Sequence, residues 1–196
     1  MMAKKLSIVI PVYNNPEELR LTLGSIARQD FPLEDLEVLV CDDGSHLDMK
    51  AVGEEFSGFF TVRYFWQEDQ GFRPGTARNM GIRAAQGALC VFLDCGVIVT
   101  SGCLSEHYRL YQEHGEKLCV IGYILGNDTT SDLEEMRHII DTHSPDEAAA
   151  LMVERSMIDG RERTYQGMGD DLASWPAVEP PLRRAHGVPA GERHLL

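Results

Sequence analysis

Short apolar runs and helix-spaced segments alternate along the first part of the chain. Leu6 to Val12, LSIVIPV, is a continuous β-rich run broken by Pro11, and it predicts a buried strand. Pro16 then opens EELRLTLGSIARQ, where Leu19, Leu23 and Ile26 keep helical spacing and Glu17 and Glu18 fall in the first turn, as the helix dipole prefers. LEVLVC, from Leu36, predicts a second strand that ends in the turn signal Asp42-Asp43-Gly44-Ser45. A weaker helical stretch from Asp48 to Phe56 leads to a third strand, TVRYFWQ, from Thr61. DQGFRPGTARNMG is a glycine-rich loop entering a helix whose Ala77, Gly81 and Ala84 or Ala85 form a small-residue face, suited to lying close on a sheet. ALCVFLD, from Ala88, predicts a fourth strand, SEHYRLYQEHG a helix ended by Gly115, and KLCVIGYIL a fifth strand.

Strands alternating with helices predict an α/β fold with a mainly parallel sheet flanked by helices. In such sheets ligands bind beyond the carboxyl ends of the strands. Tyr13-Asn14, Asp42-Asp43, Asp69-Gln70-Gly71 and Asp94-Cys95-Gly96 all fall at those ends, so these polar turns are expected to converge on one edge.

The character changes near Gly126. Residues 126–171 hold twelve acidic and four basic residues with helical patterns near Asp132 to Asp141 and Pro145 to Met157. This segment reads as a solvated helical surface. Residues 172–196 carry four prolines and no sustained apolar period, and are expected to be loosely ordered. The chain therefore divides into a core at 1–125, an acidic helical segment at 126–171 and a proline-rich tail at 172–196.

A formal net charge of −13 repels nucleic-acid phosphates and anionic lipid, so phosphate recognition has to come from local groups and a nucleic-acid partner is not expected. Five cysteines without a CxxC pair fit buried thiols in a reducing compartment, and a cytoplasmic location is expected. No apolar run reaches the ~20 residues of a membrane helix.

Each motif has a structural reading beside a functional one. The Asp42-Asp43 turn suits the N–H of a uracil-like base or ribose hydroxyls, and equally a plain turn. The loop Gly71 to Asn79 brings guanidinium and backbone N–H donors to a helix entrance, which suits a diphosphate, and equally a helix entry with surface arginines. Asp94 ends an apolar strand and needs a partner, either a hard cation or the donors of the next turn. The histidines are not paired at metal spacing.

In order along the chain, IVIPVYN, VCDDGS, DQGFRPGTARNMG and FLDCG resemble family 2 glycosyltransferases of the GT-A fold, with loop wording similar to chondroitin-polymerase-like members. The resemblance covers roughly residues 5–125. It implies a nucleotide-sugar-binding core in which Pro11, Tyr13, Asn14, Asp42 and Asp43 hold the nucleotide. By the same resemblance Gln70, Gly75, Arg78 and Asn79, with Arg73 as a helper, bind base and diphosphate. Asp94 matches the first acid of the Asp-x-Asp motif that binds ribose and a divalent ion, Mn or Mg. Gly96 stands where the second acid is expected.

The implied reaction moves a sugar from a nucleotide-diphosphate donor, a UDP-sugar, to an acceptor hydroxyl with inversion. The family's general base lies in a later half that this chain is expected to lack, and neither Asp170 nor Asp171 is assigned that role, so the catalytic base and the acceptor stay unknown. The alternative is a truncated or impaired nucleotide-sugar-binding domain with a regulatory or assembly role. A homo-oligomer is one way to supply an acceptor wall.

Overall fold

The computed structural model describes residues 4–115, 119, 120, 122, 125 and 133–155. Strands β1 (Leu6–Val12), β2 (Leu36–Asp42), β3 (Thr61–Trp66) and β4 (Leu89–Phe92) form one sheet in the order β3-β2-β1-β4. Every pairing is parallel. Between them run α1 (Pro16–Ile26), α2 (Met49–Glu54) and α3 (Pro74–Ala84), followed by α4 (Cys103–His114). This is the α/β layering expected from the alternating pattern.

The central strands β1 and β2 are buried along their whole length, which is why they read as unbroken apolar runs. Ile8, Ile10 and Val40 pack on one face with Leu19, Leu23 and Ile26 of α1 and Met49 of α2. Val9, Leu39 and Cys41 face the other way, against Ala77 of α3. The small-residue face of α3 has a measurable cause. A Cβ at Gly81 would fall 2.6 Å from Val9 Cγ1 and 2.8 Å from Cys41 Sγ, so a larger residue would push the helix off the sheet.

Pro11 lies inside β1, in register with Cys41. Val9 accepts from the Leu93 N–H, and β4 pairs with β1 only as far as Val9. Pro11 has the same strand parity as Val9, so its missing N–H faces the side where β4 has already ended. The proline therefore costs the sheet no ladder bond.

The strand starts are stapled by a buried polar cluster. Glu37 accepts from Ser7 Oγ at 2.7 Å, the Gln86 N–H at 2.6 Å and Arg63 Nη1 at 2.9 Å. Arg63 also donates to the Ala84 carbonyl, and Ser7 Oγ accepts the Gly87 N–H. Burial pushes the Glu37 carboxyl up, but the donors from Ser7, Arg63 and Gln86 outweigh it and hold the group below the usual carboxylate range.

The chain divides into two compact units, Met1–Tyr108 and Arg109–Leu196. In the second, α5 (Leu133–Thr142) and α6 (Pro145–Glu154) follow the helical patterns read from the sequence. Ser144 begins α6 with a capping box to Glu147, and Ile139, Ala148 and Met152 form a small apolar cluster. Of the fifth strand expected over KLCVIGYIL, only Cys119, Val120, Gly122 and Leu125 are described, none of them in a strand. The expectations for residues 172–196 and for Asp170 and Asp171 lie outside the described residues. No helix among the described residues is long and apolar enough to cross a membrane.

Candidate functional site

Parallel strands deliver their carboxyl ends to one edge, and the polar turns after β1, β2 and β3 are hydrogen-bonded to one another there. After β1, Asn14 takes a positive φ of 54°. Its N–H donates to Ser45 Oγ at 2.9 Å, and its Oδ1 accepts from the backbone N–H groups of His46 and Leu47. Asparagine tolerates this left-handed geometry better than most residues. Tyr13, half-exposed, donates its hydroxyl to Asp69 Oδ2 at 3.0 Å in the loop after β3.

The two aspartates at the end of β2 have different surroundings. Asp42 is fully buried and its oxygens are engaged: Oδ1 accepts from the N–H groups of Gly44 and Ser45, and Oδ2 from the Tyr64 hydroxyl at 2.6 Å. Burial and that acceptor push the Tyr64 phenol far above its ordinary value. Asp42 therefore shapes the turn. Asp43 points into the loop before α3, where Oδ2 accepts the Arg73 N–H at 2.7 Å and Oδ1 accepts from the Gln67 side chain. Gly44 makes this junction possible. It sits at φ +94°, and a Cβ there would fall 2.4 Å from the Asp69 nitrogen.

The loop after β3 is tied at both ends. Asp69 Oδ1 accepts the Gly71 N–H at 2.9 Å, and that bond, with the Tyr13 hydroxyl, holds the Asp69 carboxyl below its usual range. Arg73 turns its guanidinium inward, Nη1 to Gln70 Oε1 at 2.9 Å and Nη2 to the Glu68 carbonyl. Arg73 and Gln70 thus hold the loop's shape. Pro74 then starts α3 without a side-chain cap; the proline has no N–H, and the Thr76 and Ala77 N–H groups donate to the Arg73 carbonyl, so the Gly75 N–H is the backbone donor the entrance presents. Gly75 in its first turn has open space around it: a Cβ there meets nothing within 4 Å. Packing does not call for glycine at that position, whereas close approach of a ligand to the backbone would. Asn79 is exposed on the same helix.

Arg78 of α3 reaches Asp94, placing Nη2 2.5 Å from Oδ1 in a half-open ion pair. Asp94 also opens a turn, with its carbonyl accepting the Val97 N–H at 3.0 Å and Gly96 in the third position at φ +95°. A type II turn wants glycine there. The Gly96 N–H donates to Thr22 Oγ1 of α1 at 2.9 Å, fixing the turn to the neighbouring helix. Burial, with Glu18 and Asp94 nearby, pushes the Cys95 thiol up to about 12. Gly96 contributes shape instead of a ligand.

These residues do not by themselves build a metal cage. Among the described residues no group of three or more His, Cys, Asp or Glu side chains converges on a point that could hold an ion. Asp94 has its Oδ1 engaged by Arg78, and Glu18 of α1 lies beside Gly96. That fits a hard cation only where a ligand's phosphate oxygens complete the shell.

Of the residues singled out from sequence, Tyr13, Asn14, Asp42, Asp43, Gln70 and Arg73 join one bonded network, and Arg78 and Asp94 form a second pair at the same edge. Pro11 is buried in β1, short of the surface. Sequence reasoning placed Asp69 and Ser45 in the polar turns without giving either a binding role, and it left out Gln67 and Tyr64. Their signal was position alone, each lying at or near a strand end.

Residues 7–169 match Glycosyl transferase family 2. The chain is 36% identical over 181 residues to validoxylamine A glucosyltransferase of Streptomyces hygroscopicus, covering 92% of this chain and 41% of that protein. It is 39% identical over 90 residues to chondroitin synthase of Escherichia coli, covering 46% of this chain and 13% of that protein. The structure of Staphylococcus aureus TarS 1-349 in complex with UDP-GlcNAc aligns with a TM-score of 0.57 at 25% identity, over 66% of this chain and 36% of that one. The chain spans about two fifths of the length of the validoxylamine A glucosyltransferases it matches.

Proposed function

We infer, for a chain that belongs to glycosyl transferase family 2, that the carboxyl edge of its sheet binds a nucleotide-diphosphate sugar, a UDP-sugar, for transfer to an acceptor hydroxyl with inversion. The observation that carries this is the junction at Asp43, where a carboxylate at the end of β2 is held by the loop that opens α3. A base needs such an acceptor, and a diphosphate needs backbone and guanidinium donors beside it, here the Gly75 N–H and Arg78. The UDP-GlcNAc complex of TarS supports a donor of this class.

In this reading Asp43 accepts the N–H of the base edge, with Tyr13 beside it. Gly75 lets the diphosphate approach the start of α3, and Arg78 supplies positive charge to the departing group. Asp94, with its remaining oxygen, is the residue that would hold Mn or Mg together with the diphosphate. Such a cation supplies charge neutralisation of the leaving diphosphate. The acceptor oxygen forms a bond to the anomeric carbon while the bond from that carbon to the β-phosphate oxygen breaks. The electron pair leaves with the nucleotide diphosphate, and the acceptor's proton passes to a base that no described residue is assigned to supply.

Calorimetric titration with UDP, with and without Mn²⁺, tests the donor site, and transfer from UDP-sugars tests turnover. UDP binding is expected, weakened about tenfold or more in Asp43→Ala, with transfer lost in Asp94→Ala. No UDP binding under either condition refutes the reading. Clean binding without transfer from any donor favours a nucleotide-sugar-binding domain instead, a reading supported by the glycine turn at Gly96.

A further inference from the structure

The loop between β3 and α3 holds one aromatic ring out in solvent. Phe72 is 93% exposed, against 46% for Tyr13, the other exposed aromatic of these turns. A phenyl ring left in water gains nothing from burial, and a floppy loop would explain that cheaply. This loop is anchored on both sides of the ring. The Gly71 N–H is bonded to Asp69 and the Arg73 N–H to Asp43. A Cβ at Gly71 or Gly75 would meet no atom within 4 Å, so the space around this stretch of backbone is open.

The chemistry on either side of the ring indicates what would cover it. Phe72 adjoins the residue whose N–H is pinned to Asp43, the carboxylate assigned above to a base edge. A hydrogen-bond acceptor for the edge of a base, in the turn after β2, and an aromatic ring for its plane, on the loop pinned to that acceptor, are thus neighbours. Resting on the donor reading above, we propose that Phe72 is the aromatic lip of the donor site, lying against the face of the nucleobase and covered when nucleotide binds. The lip is a binding residue and takes no part in bond making.

Calorimetry of the full chain with UDP at fixed Mn²⁺ tests this in wild type, Phe72→Ala, Phe72→Leu and Phe72→Tyr. Base–aromatic stacking predicts about fivefold or greater weakening in Phe72→Ala. Tyrosine should restore affinity to within about twofold, and leucine should not, because stacking needs the ring face. Urea midpoints should match wild type in all three, since the side chain is exposed. Equal UDP affinity in wild type and Phe72→Ala overturns the lip, as does full restoration by leucine. Unchanged UDP affinity with a raised acceptor KM also overturns it, by moving the ring to the acceptor side. Wild-type protein that binds no UDP refutes the donor reading itself, and the lip with it.

Discussion

Strand β2 carries a buried carboxylate near each end, Glu37 at its start and Asp42 at its finish, both fully enclosed. At the start, every polar group around Glu37 is spent on joining β1, β3 and the segment after α3. Asp42 is spent in the same way, on its own turn and on Tyr64 of β3. The finish differs in what lies beside it: Asp43, which ties it to the loop before α3, with an unfilled space at Gly75 and an uncapped helix start. A buried acid is therefore no guide to function on its own. What separates the two ends is the open space and the uncapped helix start beside the second.

The sharpest way to break that contrast is at the stapled end. Glu37→Ala should cost about 3–5 kcal/mol of stability by urea unfolding, since it leaves Arg63, Ser7 and the Gln86 N–H without their acceptor. UDP affinity per folded molecule should not change. A fall in that affinity would show that the two ends are coupled. The same staple has a pH signature. Because Glu37 is held below its ordinary value when folded, its contribution is complete above the unfolded carboxylate range near pH 4–5 and disappears as pH falls through the folded value. Glu37→Gln should remove that acid-side slope.

At the open end, Gly44→Ala should cost about 2 kcal/mol, combining a strained φ with the overlap onto the Asp69 backbone. Unlike the Glu37 change, it should also weaken UDP binding, because the turns after β2 and β3 must part. Unchanged UDP affinity would detach that junction from the donor site. The smallest effect is expected at Gly96→Asp. The added carboxylate should raise Mn²⁺ affinity in the presence of UDP, while turn strain lowers stability by about 1 kcal/mol. No rise in Mn²⁺ affinity would remove the metal role from this corner.

Much of the fold was legible because its signals are local. The buried strands, the acids opening α1 and the small face of α3 are all written within a few residues. The site was legible only as positions at strand ends. Which aspartate shapes its turn and which faces the loop depends on partners far along the chain, Tyr64 22 residues beyond Asp42 and Arg73 30 residues beyond Asp43. Arg73 as a loop staple and Gly96 as a turn residue follow from three-dimensional bonding and backbone geometry, which no motif spells out. Gly96 illustrates the limit well: the sequence shows an absent acid, and the structure shows a glycine the turn needs.

The contact at Gly81 sets a mechanical boundary for this edge. With Val9 and Cys41 pressed against the helix where a side chain would be, α3 is a fixed post that cannot settle nearer the sheet. Gly75 and Arg78 ride on that post, and the loop ahead of it is braced by the Gly71 N–H on Asp69 and the Arg73 N–H on Asp43. Selectivity among sugars would then be tuned by the length and bracing of that loop, with the helix serving as its unmoving reference.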